Sequence, residues 1–154
     1  MQETQADSFT KFFQEQQHRL AQALTASLGT ELGAEATSEA LSYGWEHWER
    51  VRNMEHPVGY LYRVGRSRAL RFHRRRRPPV LPEVRSNPLP WVEPGLPGAL
   101  ARLSEKQRLA VILIHSLGWT HREVANLCGV SIGTVQTHAE RGLQRLRATL
   151  GVAA

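Results

Sequence analysis

Between positions 63 and 77 the chain carries Arg63, Arg66, Arg68, Arg71 and the run Arg74 to Arg77, eight of its 20 Lys and Arg. Guanidinium groups stay charged at any working pH and pair well with phosphate. Packed this densely they repel one another, and a polyanion relieves that repulsion. Aromatic residues are interleaved: Tyr60, Tyr62 and Phe72 here, Trp45 and Trp48 on a neighbouring segment. Rings beside cations can hold unstacked bases, as in single-strand binders. The same rings also suit a core, and at least two of Tyr62, Phe72, Trp45 and Trp48 are expected there.

A second polar set lies near the C-terminus, in VSIGTVQTHAERGLQRLRATL, positions 130–150. At helical spacing Thr134, Thr137, His138, Arg141 and Arg145 share one face, and Ile132, Val135, Ala139, Leu143, Leu146 and Leu150 form an apolar stripe on the other. Short hydroxyls at the start of a helix followed by arginines suit base-edge and phosphate contacts, respectively. Any amphipathic surface helix also has a polar face, so the turn before this one carries much of the weight.

Chemistry of other kinds finds little support. His18, His47, His56 and His73 are scattered, without a paired metal-ligand spacing. No nucleophile with a base and an orienting group is visible in residues 1–77. Cys128, the one cysteine, reads as a small core residue, with a redox sensor as the sharper alternative. His115, His121 and His138 read as solvated or partly packed, with pH sensitivity near DNA as the sharper reading. A catalytic role, for example in a small recombinase, is therefore not expected. No cofactor or metal is expected either.

The elements that would position the two polar sets are all helices, because no clear run of alternating apolar and polar residues occurs. An N-terminal module of three helices is expected over 1–77. The first runs from about Asp7 to Leu28, with Phe9, Phe12, Phe13, Leu20, Ala23 and Leu24 roughly on one side, and GTELG ends it. The second runs from about Ala34 to Val51, with Leu41, Trp45 and Trp48 at helical spacing. The third starts at Pro57, a favourable first helical position, with Val58, Leu61, Tyr62, Gly65, Ala69 and Phe72 as its apolar face. A C-terminal module is expected over 99–154, with a lead-in helix near Ala99 to Leu103. Ser104 with Gln107 and Thr120 with Glu123 have the spacing of capping boxes. They place helices at about 105–117 and 121–127, and Ser131 caps a third at 132–149. Gly129 supplies the positive φ for the tight turn between the last two. The stripe on the last helix is expected to pack on Ala110, Leu113, Ile114, Leu117, Val124 and Leu127. The short helix, glycine turn and longer helix make a helix-turn-helix. Pro78 to Gly98 holds seven of the eight prolines and reads as a non-helical linker between the modules.

Composition agrees. The net charge of +6 and pI of about 10.4 favour nucleic acid as partner. Glu31 to Glu49 carries five Glu and no Lys or Arg, a face that should avoid DNA and suit a protein partner. One cysteine, an N-terminus unsuited to export and no apolar run near the roughly 20 residues of a membrane span make a cytoplasmic protein, without membrane insertion, the expectation.

Two stretches carry a family resemblance. LARLSEKQR with GWTHREVANLCGVSIGTVQTHAERGLQRLR resembles the fourth region of bacterial RNA polymerase sigma factors of the small, two-domain extracytoplasmic-function type. SEALSYGWEHWERV with HPVGYLYRVGRSRALRFHRRRR resembles their second region. The resemblance implies an all-α protein that docks on core polymerase and directs promoter recognition and initiation. Glu39, Leu41 and Trp45 would belong to the face that docks on the clamp helices of the large polymerase subunit. Tyr60, Arg63, Arg66, Ser67, Arg74 and Arg75 would lie at −10 DNA. Ser131, Thr134, Gln136, Thr137, His138, Arg141 and Arg145 would lie at −35 DNA. An anti-sigma partner, where one exists, would bind the linker and the module faces. The chain departs from the family pattern at Ala36 and Ser38, usually Asp and Gln, at Tyr60, Ser67 and Arg71, usually Trp, Asn and Asp, and at Gln136 and His138, usually cations. The competing reading is a stand-alone regulator of the LuxR type, whose effector module has a similar helix-turn-helix. It requires a sensor or dimerisation domain at the N-terminus, which the arginine-loaded third helix fits poorly.

Overall fold

The computed structural model describes residues 2–76 and 94–151, with the backbone alone at 75 and 76. Among these residues every regular element is helical. The N-terminal module comprises α1 (Gln5–Leu28), α2 (Thr30–Glu46), the short α3 (Trp48–Val51) and α4 (Pro57–Arg76). The C-terminal module comprises α5 (Leu96–Ala101), α6 (Glu105–Val111), α7 (His121–Cys128) and α8 (Ile132–Leu150). A π-helical turn, Ile112–Ser116, extends α6.

α2 begins four residues before the expected Ala34. Gly29, at φ 87°, reverses the chain in a single residue, so TELG is already helix. Gly33 then lies against the α1 backbone, where a Cβ would stand 2.7 Å from the Thr25 Cα. The expected second helix also breaks at His47, leaving Trp48–Val51 as a separate turn.

α2 and α4 meet along a seam of small residues. Ala36, Ala40 and Gly44 of α2 face Leu61, Gly65 and Ala69 of α4, all buried. α1 closes the module through Leu20, Ala23 and Leu24. Its outer end packs aromatic rings: Phe12 lies 4.8 Å from Trp48 between centroids, and the Trp48 indole donates to Ser8 Oγ at 3.0 Å. Trp48 and Tyr62 are the two core aromatics of the four considered. Trp45 and Phe72 are about half exposed, 48% and 50%, so Phe72 does not extend the apolar face of α4 into the core.

In the C-terminal module the expected caps form. Ser104 with Gln107 and Thr120 with Glu123 make reciprocal capping boxes, Ser131 Oγ accepts from the Thr134 amide at 3.1 Å, and Gly129 turns the chain at φ 67°. Val135, Ala139 and Leu146 of the stripe are buried, and Leu143 and Leu150 are packed against a second core cluster. Two stripe contacts fail. Ile132, in the first turn, is 37% exposed, and Leu117 is 41% exposed. The π turn adds a residue to the last turn of α6, with the Leu117 amide bonded to Ile112 O, and this rotates Leu117 outward. Trp119, 6% exposed, joins the core after it.

The lead-in helix starts at Leu96, three residues inside the expected linker. Pro97 sits in its first turn, where a missing N–H costs no helix bond. The rest of the linker, 78–93, and Arg77 lie outside the described residues.

Candidate nucleic-acid interface

The helix-turn-helix presents the N-terminal half of α8 to solvent. Ser131, Gln136, Thr137 and Arg141 are exposed. Thr134 is half-buried, its hydroxyl 2.9 Å from Ser131 Oγ, and Thr137 donates to Gly133 O at 3.0 Å. Arg145 and His138 lean toward α6 instead of standing on the same outward face. Arg145 donates to Gln107 Oε1 at 3.2 Å. His138 lines a cavity of about 480 Å³ between α4 and the C-terminal module. Burial, then Lys106 and Arg141, push the His138 imidazole below its ordinary proton affinity. The ring is therefore neutral at pH 7 and contributes no cation to this face.

α4 carries the other cationic face. Arg63, Ser67, Arg68, Arg71 and Arg74 are exposed, and Arg75 lies in the last turn with its side chain outside the described atoms. Tyr60 belongs to a cluster absent from the sequence expectations. Its hydroxyl lies 3.0 Å from that of Tyr43, and Arg50 donates to both. Arg68 stands 4.8 Å above the Tyr43 ring. Tyr43, Arg50 and Arg68 thus extend the Tyr60 surface with one ring and two cations.

Beyond this surface, Arg68 comes within 3.7 Å of Glu39. Glu39 is exposed, Leu41 half-buried, and Trp45 exposed with its ring edge on Phe9. Ala36, compared above with a family Asp, is fully buried against Gly65. One residue is about 100° of helix turn, and the acid exposed on that turn of α2 is Glu35, beside Ser38 and Glu39.

The two cationic faces are not both free. Arg66 pairs with Glu105 of α6 through two hydrogen bonds, Nη2 to Oε2 at 2.6 Å and Nε to Oε1. Ser27 Oγ donates to the same carboxylate at 2.5 Å. Arg63 donates to Leu127 O at 3.2 Å. Arg108 donates to Ala26 O and Ser27 O at 3.2 and 2.8 Å. These carbonyls are at helix C-termini, where acceptors lack intrahelical partners and the dipole favours cations. Arg19 pairs with Glu123 and lies 4.3 Å over Trp119, whose indole donates to Gln22 Oε1 at 3.2 Å.

Burial pushes the Glu105 carboxyl up, but the Arg66 and Ser27 hydrogen bonds and the Arg66 and Arg108 charges outweigh it and hold it below its ordinary value. A depressed carboxyl stabilises the fold above its unfolded-state value and loses that contribution as pH falls through its folded-state value. The contact between modules is therefore expected to weaken on acidification below the ordinary carboxylate range. Small-angle scattering against pH would show expansion in that window, and Glu105→Gln would reduce its pH dependence, leaving the share of the other pair between the modules, Arg19 with Glu123.

Cys128 is half-buried, and burial pushes its thiol up to about 11, so it is protonated and poorly reactive at neutral pH. No group of three or more His, Cys, Asp or Glu able to hold a metal occurs among the described residues. No helix among them is long and apolar enough to cross a membrane.

Comparison with known proteins agrees with this geometry. Residues 96–146 match the family described as Sigma-70, region 4. The chain is 35% identical over 54 residues to an ECF RNA polymerase sigma factor, EcfG, of Rhodopseudomonas palustris (strain TIE-1). That match covers 35% of this chain and 30% of the relative, so the chain spans under a third of that relative's length. In fold, the chain is similar to the sigma factor RpoE of Bartonella quintana, solved in complex with the anti-sigma factor NepR. The TM-score is 0.66 at 19% identity, over 96% of this chain and 99% of that one. Residues 96–146 thus match the sigma-70 region 4 family, within a chain whose described fold is similar to that of the solved sigma factor RpoE.

Proposed function

We propose that the protein is an RNA polymerase sigma factor that directs transcription initiation from promoters with −10 and −35 elements. The observation that carries this reading is the pairing of a region 4 helix-turn-helix with a second, separate cationic helix, α4. A stand-alone regulator needs one DNA-reading module, and α4 with its Tyr43–Tyr60 cluster is not a sensor or dimerisation domain in composition.

In this mechanism α8 enters the major groove of the −35 element. Gln136 and Thr137 meet base edges and Arg141 a phosphate. α4 meets the −10 region, where Arg63, Arg68, Arg71 and Arg74 hold backbone and Tyr60 lies near unstacked bases. The exposed side of α2, with Glu35, Glu39 and Trp45, docks on the clamp helices of the large polymerase subunit, acid to base. The linker spans the interval: with α5 starting at Leu96, the 18 residues 78–95 can reach at most about 56 Å at polyproline rise. No step requires catalysis by this chain, and the work is cytoplasmic.

The test is co-elution with purified core polymerase. Wild type should bind, and Glu39→Lys with Trp45→Ala should release it. Failure of wild type to bind core, with specific DNA binding retained, would return the reading to a stand-alone regulator.

A further inference from the structure

We infer that the cavity of about 480 Å³ between α4 and the C-terminal module is a binding site for a small amphipathic anion, an apolar body with a single carboxylate head. The inference is independent of the promoter reading, whose own test is core binding.

The cavity exists because of what bridges it. Gly59, Arg63 and Arg66 lie on one face of α4, at i, i+4 and i+7. At Gly59 the helix backbone meets α7, and an added Cβ would overlap the Asn126 carbonyl. At the next two positions long side chains make the connection. Arg63 donates to Leu127 O at 3.2 Å, and Arg66 Nη2 donates to Glu105 Oε2 at 2.6 Å. These arginines act as struts, holding surfaces apart that packed methyl groups would draw together. The space between them is far larger than the voids of a close-packed core. It falls within the range of roughly 300–1,000 Å³ typical of small-molecule sites.

The walls supply the two parts such a ligand requires. Tyr62, Leu109, Ala110, Val124 and Val135 line the cavity and are buried in the fold, so its floor is apolar. Arg63, Arg66, Glu105 and Lys106 are its charged groups. Glu105 is committed to Arg66, which leaves Arg63 and Lys106 as uncompensated positive charge. Arg63 uses one of its five N–H donors on Leu127 O. Lys106 is exposed and makes no ion pair among the described residues. Cys128 and His138 also line the cavity, and both are uncharged at pH 7, so neither cancels this charge. Cations beside low-dielectric walls concentrate anions and repel ammonium groups. The planar fork of Arg63 matches a carboxylate head, with Lys106 as a second charge beside it.

The probes are octanoate, octan-1-ol and octylammonium, equal in apolar body and different in head charge, titrated calorimetrically into the full chain. Octanoate is expected to bind about tenfold tighter than octan-1-ol, as charge-assisted hydrogen bonds contribute, and octylammonium not to bind. Decanoate should bind tighter still, by up to about fourfold for each added methylene that is buried. Lys106→Ala should weaken octanoate binding about threefold, as for a part-exposed ion pair. Arg147→Ala removes an equal charge from an exposed position in the last turn of α8 and should leave binding unchanged. The imidazole resonances of His138 locate the ligand: they should shift with octanoate while those of His18, outside the cavity, stay in place. Circular dichroism checks that Lys106→Ala remains helical; if it does not, the head-group series on the unaltered protein decides. Octylammonium binding as tightly as octanoate, equal losses from Lys106→Ala and Arg147→Ala, binding that leaves His138 unmoved, or no binding of octanoate would each overturn the inference.

Discussion

Gly65→Val is expected to destabilise the N-terminal module by roughly 3 kcal/mol, at the upper end of what overpacking a core costs. Two effects compete. Replacing a mid-helix glycine by a residue with a side chain favours the helix by up to about 1 kcal/mol, less for a β-branched residue. Against this, any Cβ at position 65 stands 2.5 Å from the Ala36 carbonyl oxygen and 2.8 Å from the Ala40 Cβ. Neither neighbour is the tip of a flexible side chain, so α2 and α4 must separate. Separation opens space beside Leu61 and Ala69, both buried, and forfeits their contacts. The steric loss therefore exceeds the helix gain. Even Gly65→Ala should lose stability, whereas Gly133→Ala, with nothing nearer than Ser131 Oγ at 3.9 Å, should be neutral or slightly stabilising. Urea denaturation of the three variants checks the order. A functional consequence follows, because this seam sets the exposed side of α2 against the cations of α4. Gly65→Val should impair core docking and −10 binding together.

The second large effect is at α8. Arg141→Ala should weaken binding to a promoter fragment about tenfold, similarly for all sequences, and lower the salt slope by about one, as for loss of one phosphate contact. Gln136→Ala should instead relax sequence preference by about 1–3 kcal/mol at one base pair and leave the salt slope unchanged. The contrast follows from placement: Gln136 is in the first turns of α8, near the capped N-terminus, and Arg141 lies further along an exposed face. Fluorescence anisotropy across a salt series separates them. A sequence-selective loss on Arg141→Ala would reassign that residue to a base.

Where a structural cause was local, the sequence displayed it. The capping boxes at Ser104 and Thr120 need only a hydroxyl and a Glu or Gln three residues on, and the Gly129 turn needs only a positive φ. Val135, Ala139 and Leu146 follow from helical period. Features that depend on register were less legible. The π turn at Ile112–Ser116 shifts everything after it, so Leu117 faces solvent and Trp119 fills the core. One residue of offset on α2 exchanges buried Ala36 for exposed Glu35. Contacts between distant segments were not legible at all. Arg66 and Glu105 are 39 positions apart, and eight arginines within fifteen positions carry no sign that Arg63 and Arg66 are satisfied within the chain while, among the described residues, Arg68, Arg71 and Arg74 are not engaged by the C-terminal module. Tyr43 of α2 and Arg50 of α3 likewise meet Tyr60 only because α2 packs along α4.

The central claim is that this chain brings core polymerase to promoters. Run-off transcription with purified core and a library of promoter fragments, with and without the protein, tests it most directly. The account predicts start sites that depend on the protein, with two shared upstream elements, and their loss on Arg141→Ala. Sequence-specific binding by the protein without any protein-dependent start site would contradict it.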